Sequence, residues 1–101
     1  MKILMVGDLV GSPGRQVFAQ VVTRRKQTKG LDFVVVNAEN SAGGKGLTGK
    51  LAEELFAAGA DVITLGDHAW NQKELISYVD SEPRILRPAN FAPGCPGHGA
   101  V

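Results

Sequence analysis

The sequence predicts an α/β protein built on a parallel βαβαβ core. Three short apolar segments, at Lys2–Val6, Phe33–Val36 and Val62–Leu65, have the length and β-branched content of buried strands. Segments in which apolar residues recur at helical spacing lie between them. Strands that alternate with helices are joined by right-handed crossovers into a parallel sheet. The 101 residues have room for one such domain, without an internal repeat or a linker.

The first helix is predicted over Gly14–Lys26. Ser12 and Pro13 precede it and suit the N-cap and the first helical position. The basic triplet Arg24–Lys26 lies near the end of the helix, where the helix dipole favours cations.

The second and third helices are predicted from their end signals. Thr48 can cap the second helix, and Gly59 suits a left-handed stop. Asn71 and Glu74 have the spacing of a capping box, which opens a short third helix.

A fourth short strand is predicted at Ile85–Leu86, after the interruption at Pro83. The tail that follows is rich in Gly and Pro and predicts a loop. Because a parallel sheet needs cover on both faces, three helices leave part of one face open. We therefore expect a homo-oligomer, or association through the uncovered sheet face.

Composition narrows the class of protein. Eleven basic and ten acidic side chains give a net charge of +1, which does not favour a general nucleic-acid-binding surface. Cys95 is alone, so an internal disulfide is excluded and an oxidising compartment is not implied. The apolar stretch at the N-terminus is too short for a signal peptide or a membrane span. We expect a soluble, cytoplasmic protein.

Polar side chains follow the carboxyl ends of all three core strands. In an open parallel sheet these ends form the crevice in which ligands bind. Carboxylates, amides and an imidazole on neighbouring strand ends can bind a divalent cation. The candidates are Asp8 after the first strand, Asn37, Glu39 and Asn40 after the second, and Asp67 and His68 after the third.

Two phosphate-binding motifs are excluded by spacing. Gly44-Lys45 is followed by Gly46 instead of Ser or Thr, so the loop is not a Walker A motif. Gly7, Gly11 and Gly14 lack the intervals of a dinucleotide fingerprint.

Four sequence motifs resemble those of a known family. In chain order they are GDLVGSPGR, VVNAENSAGGKGLT, ITLGDHAWNQKE and RPANF. They resemble the N-terminal part of the bacterial YmdB-like metallophosphoesterases, a branch of the calcineurin-like superfamily. The resemblance implies that residues 1–101 are one partial domain, the N-terminal half of a four-layer α/β/β/α sandwich with a dinuclear metal centre. It also implies hydrolysis of phosphodiesters such as 2′,3′-cyclic nucleotides.

The resemblance assigns a role to each matching residue. Asp8 would bind one metal ion, Glu39 would bridge both, and Asn40 and Asp67 would bind the second. His68 would be the proton donor. The expected cofactors are two divalent metal ions, iron or manganese first, with zinc or magnesium as alternatives.

Two departures from the family pattern affect these expectations. Asp67 stands where the family has Asn, so its charge should favour a cation and weaken attraction for a phosphate. The family also draws further histidine ligands from a later half, whereas His98 matches no ligand motif. We expect the chain alone to be weak or inactive. The alternative is a non-catalytic α/β binding or interaction module that has lost the metal centre.

Overall fold

The chain forms a four-stranded parallel sheet, in a computed structural model that describes all of residues 1–101. The elements in chain order are β1 (Ile3–Val6), α1 (Gly11–Lys29), β2 (Phe33–Asn37), α2 (Gly49–Ala58), β3 (Val62–Thr64), α3 (Glu74–Val79) and β4 (Ile85–Leu86). The strands lie in the order β1-β2-β3-β4, and every neighbouring pair is parallel. The predicted parallel α/β core and its fourth strand are confirmed.

The strand order places the helices on one face of the sheet. Because each strand is added on the same side of the previous one, right-handed crossovers carry α1, α2 and α3 across the same face. The core therefore lies between that face and the helices, and its sheet residues are fully buried. They include Val34, Val36, Ile63 and Ile85.

The opposite face of the sheet is open over β1 and β2. Ile3 pairs in register with Phe33, and Met5 pairs with Val35. Since side chains on paired parallel strands share a face, these residues form one apolar surface. Ile3 is 54% exposed, Met5 76% and Phe33 37%.

Helix α1 is longer at both ends than the predicted Gly14–Lys26. Its N-cap is Val10, which makes no side-chain cap bond, so the prediction that Ser12 is the cap is wrong. The reason is a tertiary contact: Val10 bridges Asn40, and the Gly11 N–H donates to the Asn40 carbonyl at 3.1 Å. Gly30 ends the helix in the left-handed conformation, at φ 65°.

Helix α2 begins at the predicted cap. The Thr48 hydroxyl accepts a hydrogen bond from the Leu51 N–H at 3.1 Å. Gly59 ends the helix with φ 123° and ψ 7°, a positive φ outside the predicted left-handed helical region. A Cβ at Gly59 would lie 2.7 Å from Val22 Cγ1, so a glycine there lets α1 approach the end of α2.

Helix α3 begins at Glu74, with Lys73 at the N-cap position and no side-chain cap bond. The predicted capping box of Asn71 and Glu74 is therefore wrong. The Asn71 amide contacts the ring of His68 instead, with Nδ2 3.0 Å from Nδ1.

The tail contains no helix or regular strand, as expected, but it folds back over β4. Leu86 forms an isolated parallel bridge with His98, and the Arg87 N–H donates to the His98 carbonyl at 2.9 Å. The Gly97 N–H donates to Asp80 Oδ1 at 2.6 Å. No helix combines the length and apolar character that a membrane crossing requires.

Candidate functional site

The loops that follow β1, β2 and β3 lie side by side at one edge of the sheet. The Leu9 N–H donates to the Asn37 carbonyl at 3.0 Å, which joins the first loop to the end of β2. The Ala38 N–H donates to the Thr64 carbonyl at 3.0 Å, which joins the second loop to the end of β3. These backbone bonds hold the polar residues of the three loops close to one another.

Asp8 and Asn40 form the first contact between these loops. Asn40 Nδ2 donates to Asp8 Oδ1 at 2.7 Å. Asp8 has φ 36° and is the one non-glycine residue with positive φ, a conformation that surrounding contacts must stabilise. Asn40 Oδ1 is buried without a hydrogen-bond partner, and so is Asn37 Oδ1. A buried unpaired amide oxygen is available to a cation or another donor.

Glu39 forms the contact between the second and third loops. Its Oε2 accepts a hydrogen bond from the His68 N–H at 3.1 Å. Its carboxylate lies against Gly66, where a Cβ would come within 2.5 Å of Oε1. A side chain at residue 66 would therefore compete with Glu39 for this space.

His68 is held at both its backbone and its ring. The backbone N–H donates to Glu39, and ring Nδ1 lies 3.0 Å from Asn71 Nδ2. The imidazole is half-buried, whereas the neighbouring Asp67 is exposed.

The predicted metal ligands lie at the same edge of the sheet, but they do not come together in one cluster. No three His, Cys, Asp or Glu side chains lie together closely enough to hold a metal ion. Instead the structure forms two pairs, Asp8 with Asn40 and Glu39 with the backbone of His68. The donors match a hard divalent cation in chemical kind, because they are carboxylate and amide oxygens. Asn40 Oδ1 supplies the unpaired atom that such a cation would satisfy.

Arg15 is a site neighbour that was not predicted from the sequence. Its Nη1 donates to the Ser41 carbonyl, next to Asn40, and its Nε lies 3.8 Å from Glu54 Oε2. Arg15 therefore ties α1 to α2 and to the loop after β2. The available signal was a cation near the N-terminus of a helix, where the helix dipole disfavours it.

An apolar cavity lies beside this site. It has a volume of about 330 Å³ and lies between the end of β1 and α1, with Asp8 among its lining residues. Glu39, Asn40, Asp67 and His68 do not line it.

Comparisons with known proteins agree with this architecture. Residues 4–101 match the family described as YmdB-like protein. The chain is 46% identical over 99 residues to the 2′,3′-cyclic-nucleotide 2′-phosphodiesterase of Bacillus subtilis strain 168, covering 98% of this chain and 38% of that protein.

Two crystal structures are similar to the chain. One is a hypothetical protein from Thermus thermophilus, with TM-score 0.90, 37% identity, and coverage of 98% of this chain and 38% of that one. The other is a phosphatase from Mycoplasma pneumoniae, with TM-score 0.89, 37% identity, and coverage of 98% and 37%. The chain thus spans well under half the length of these relatives, and it belongs to the YmdB-like family of phosphoesterases.

Proposed function

We propose that this chain forms part of a metal-dependent phosphodiesterase that acts on phosphodiesters such as 2′,3′-cyclic nucleotides. The observation that carries the proposal is the position of Glu39, between Gly66 and the His68 N–H and beside the Asp8–Asn40 pair. The activity in the name of the Bacillus relative supports it. Because the chain covers 38% of that relative, the proposal concerns the activity of a longer protein.

Four residues would hold the cofactor, which we propose is a pair of divalent ions. Asp8 would bind one ion, Asn40 and Asp67 the other, and Glu39 both, since a carboxylate has two oxygens. Iron or manganese is our first proposal, with zinc or magnesium as alternatives. When bound, such ions supply positive charge to phosphoryl oxygens and lower the pKa of water.

His68 would supply the proton that the departing alkoxide needs. A positioned general acid is worth about 10²- to 10⁴-fold in rate. Asp67 would strengthen cation binding, and its negative charge would reduce attraction for the phosphate. We therefore expect metal binding by this chain and little turnover by the chain alone.

The substitution Glu39→Gln tests the proposal. The wild-type chain should bind manganese by titration calorimetry and elemental analysis, and E39Q should bind it at least tenfold more weakly. Glu53→Gln is a matched control, because Glu53 is exposed on α2 away from the site. In a protein that carries the remaining family regions, E39Q should also abolish hydrolysis of a chromogenic phosphodiester. Unchanged hydrolysis would refute the proposal.

The alternative function is a non-catalytic α/β binding or interaction module. The observation that favours it is the absence of three clustered His, Cys, Asp or Glu side chains. It predicts no stoichiometric metal and no turnover with any added cation. A cytoplasmic location is part of either proposal.

A further inference from the structure

We propose that Asn71 is a positioning residue that holds the His68 imidazole at Nδ1 and leaves the ring hydrogen on Nε2. This inference rests on the proposed role of His68 as proton donor. Asn71 contacts the His68 imidazole and takes no direct part in the proton transfer.

The contact between the two side chains is direct. Asn71 Nδ2 lies 3.0 Å from His68 Nδ1, and the Asn71 N–H donates to the His68 carbonyl at 3.2 Å. The backbone turn therefore brings the amide to the ring. Because the His68 N–H is bound to Glu39 Oε2, the backbone and the ring of His68 are each fixed by a different residue.

The amide of Asn71 can leave the ring hydrogen on Nε2. The donor and acceptor roles in this contact depend on the tautomer of His68, and the amide orientation in which Nδ2 donates to a bare Nδ1 puts the hydrogen of a neutral ring on Nε2. If the ring is an imidazolium, the amide can turn and offer Oδ1 to the Nδ1 hydrogen. In both cases Asn71 occupies Nδ1, and the N–H that remains for a substrate is on Nε2.

The glycine-rich loop after β2 holds Asn71 in place. A Cβ at Gly46 would lie 3.1 Å from Asn71 Cβ and 3.1 Å from the Gln72 backbone nitrogen. Gln72 Nε2 also donates to the Lys45 carbonyl at 3.1 Å. Glycine at residue 46 thus allows this loop to lie directly against the turn that carries Asn71. The same loop begins at Glu39 and Asn40, so one segment carries these two site residues and packs against the turn that carries Asn71.

The test is nitrogen NMR of the 101-residue chain with labelled histidine. The chain has two histidines, and His98→Gln assigns both signals. At a pH well above the ordinary histidine pKa of about 6.5, wild-type His68 should have hydrogen on Nε2 and a bare Nδ1. In Asn71→Asp the carboxylate accepts from Nδ1, so the hydrogen should shift to Nδ1. In Asn71→Leu the preference should fall toward a mixture of both forms.

Gln27→Glu is the control, because it adds the same charge at an exposed position near the C-terminal end of α1, at the opposite end of that helix from the loop that carries Asp8. It should leave the His68 signals unchanged. Wild-type hydrogen on Nδ1, or His68 signals that are the same in all three Asn71 forms, would overturn the proposal. The measurement needs neither metal nor substrate. A failed phosphodiesterase assay with the expected NMR shifts would refute the proposed function and leave the positioning contact standing.

Discussion

The carboxylate of Glu39 occupies the space that a side chain at Gly66 would need. A Cβ at Gly66 would lie 2.5 Å from Glu39 Oε1 and 2.6 Å from Oε2, well inside van der Waals contact. The two residues come from the ends of different strands, β2 and β3. The glycine therefore serves the site, since it admits a carboxylate next to the backbone N–H of His68.

Gly66→Ala should displace Glu39 at small cost to the fold. The atoms that clash are the far end of a flexible side chain, so the carboxylate can move away, with loss of its hydrogen bond to His68. We expect a loss of about 1 kcal/mol in the free energy of unfolding, measured in urea. We also expect manganese affinity to fall at least tenfold.

Gly7→Ala is the matched control for this prediction. Gly7 directly follows β1 and Gly66 lies two residues after β3, yet no atom beyond the adjacent residues lies within 4 Å of the Gly7 Cβ position. Its affinity and stability should stay close to those of the wild type. Equal effects in the two variants would contradict the steric argument.

A comparison of the two predicted helix caps gives a second prediction. Thr48→Ala removes the hydrogen bond to the Leu51 N–H and should lower the free energy of unfolding by about 1 kcal/mol. Ser12→Ala should change it by much less, because the N-cap of α1 is Val10. Urea denaturation of both variants measures the difference. A larger loss in S12A would show that the cap of α1 is misplaced.

These caps also show what the sequence could predict. Thr48 acts through a residue three positions away, so a local signal was sufficient. Ser12 and Asn71 carry similar local signals, but neither caps its helix. The contact of Gly11 with Asn40 accompanies an N-cap at Val10, and the Asn71 amide contacts His68 instead. The ends of the strands were predictable to within one residue, since apolar runs and polar or glycine residues mark them; β2 ends at Asn37 instead of Val36, and β3 at Thr64 instead of Leu65.

The geometry of the candidate site was less predictable. The sequence placed Asp8, Glu39 and His68 on one edge of the sheet, which follows from parallel topology alone. It could not show that Asp8 pairs with Asn40 while Glu39 binds the His68 backbone. Those choices depend on side-chain packing, such as the space left by Gly66.

The pair formed by Glu82 and Arg84 predicts a pH dependence. Hydrogen bonds from Arg84 hold the pKa of Glu82 below its ordinary value of 4.5. A carboxylate with a lowered folded-state pKa stabilises the protein above its unfolded pKa, and this contribution disappears as the pH falls through the folded-state value. Because Arg84 is half-exposed, the contribution should be below about 1 kcal/mol.

Glu82→Gln should therefore be less stable than the wild type near neutral pH. The difference should shrink as the pH falls below 4.5, since the wild-type carboxyl becomes protonated. Urea denaturation across this range measures it, with the exposed Glu53→Gln as a control. A difference that is independent of pH would mean that the ion pair contributes nothing.

The open sheet face gives the last prediction, which concerns association. Met5 is 76% exposed in the middle of β1, beside Ile3 and Phe33, and this apolar surface has no cover in the chain. Contact between two such surfaces would remove apolar area from water, so we expect the isolated chain to self-associate. Met5→Lys should oppose this association, because it would place a charge inside the contact.

Sedimentation velocity over a range of concentrations measures the effect. The wild type should show a larger species as concentration rises, and M5K should remain at the monomer mass. Val17→Lys is the control: Val17 is 58% exposed but lies on α1, away from the open face. If M5K and V17K dissociate the protein equally, the contact is not through the sheet. If the wild type is monomeric at all concentrations, the open face does not drive association on its own.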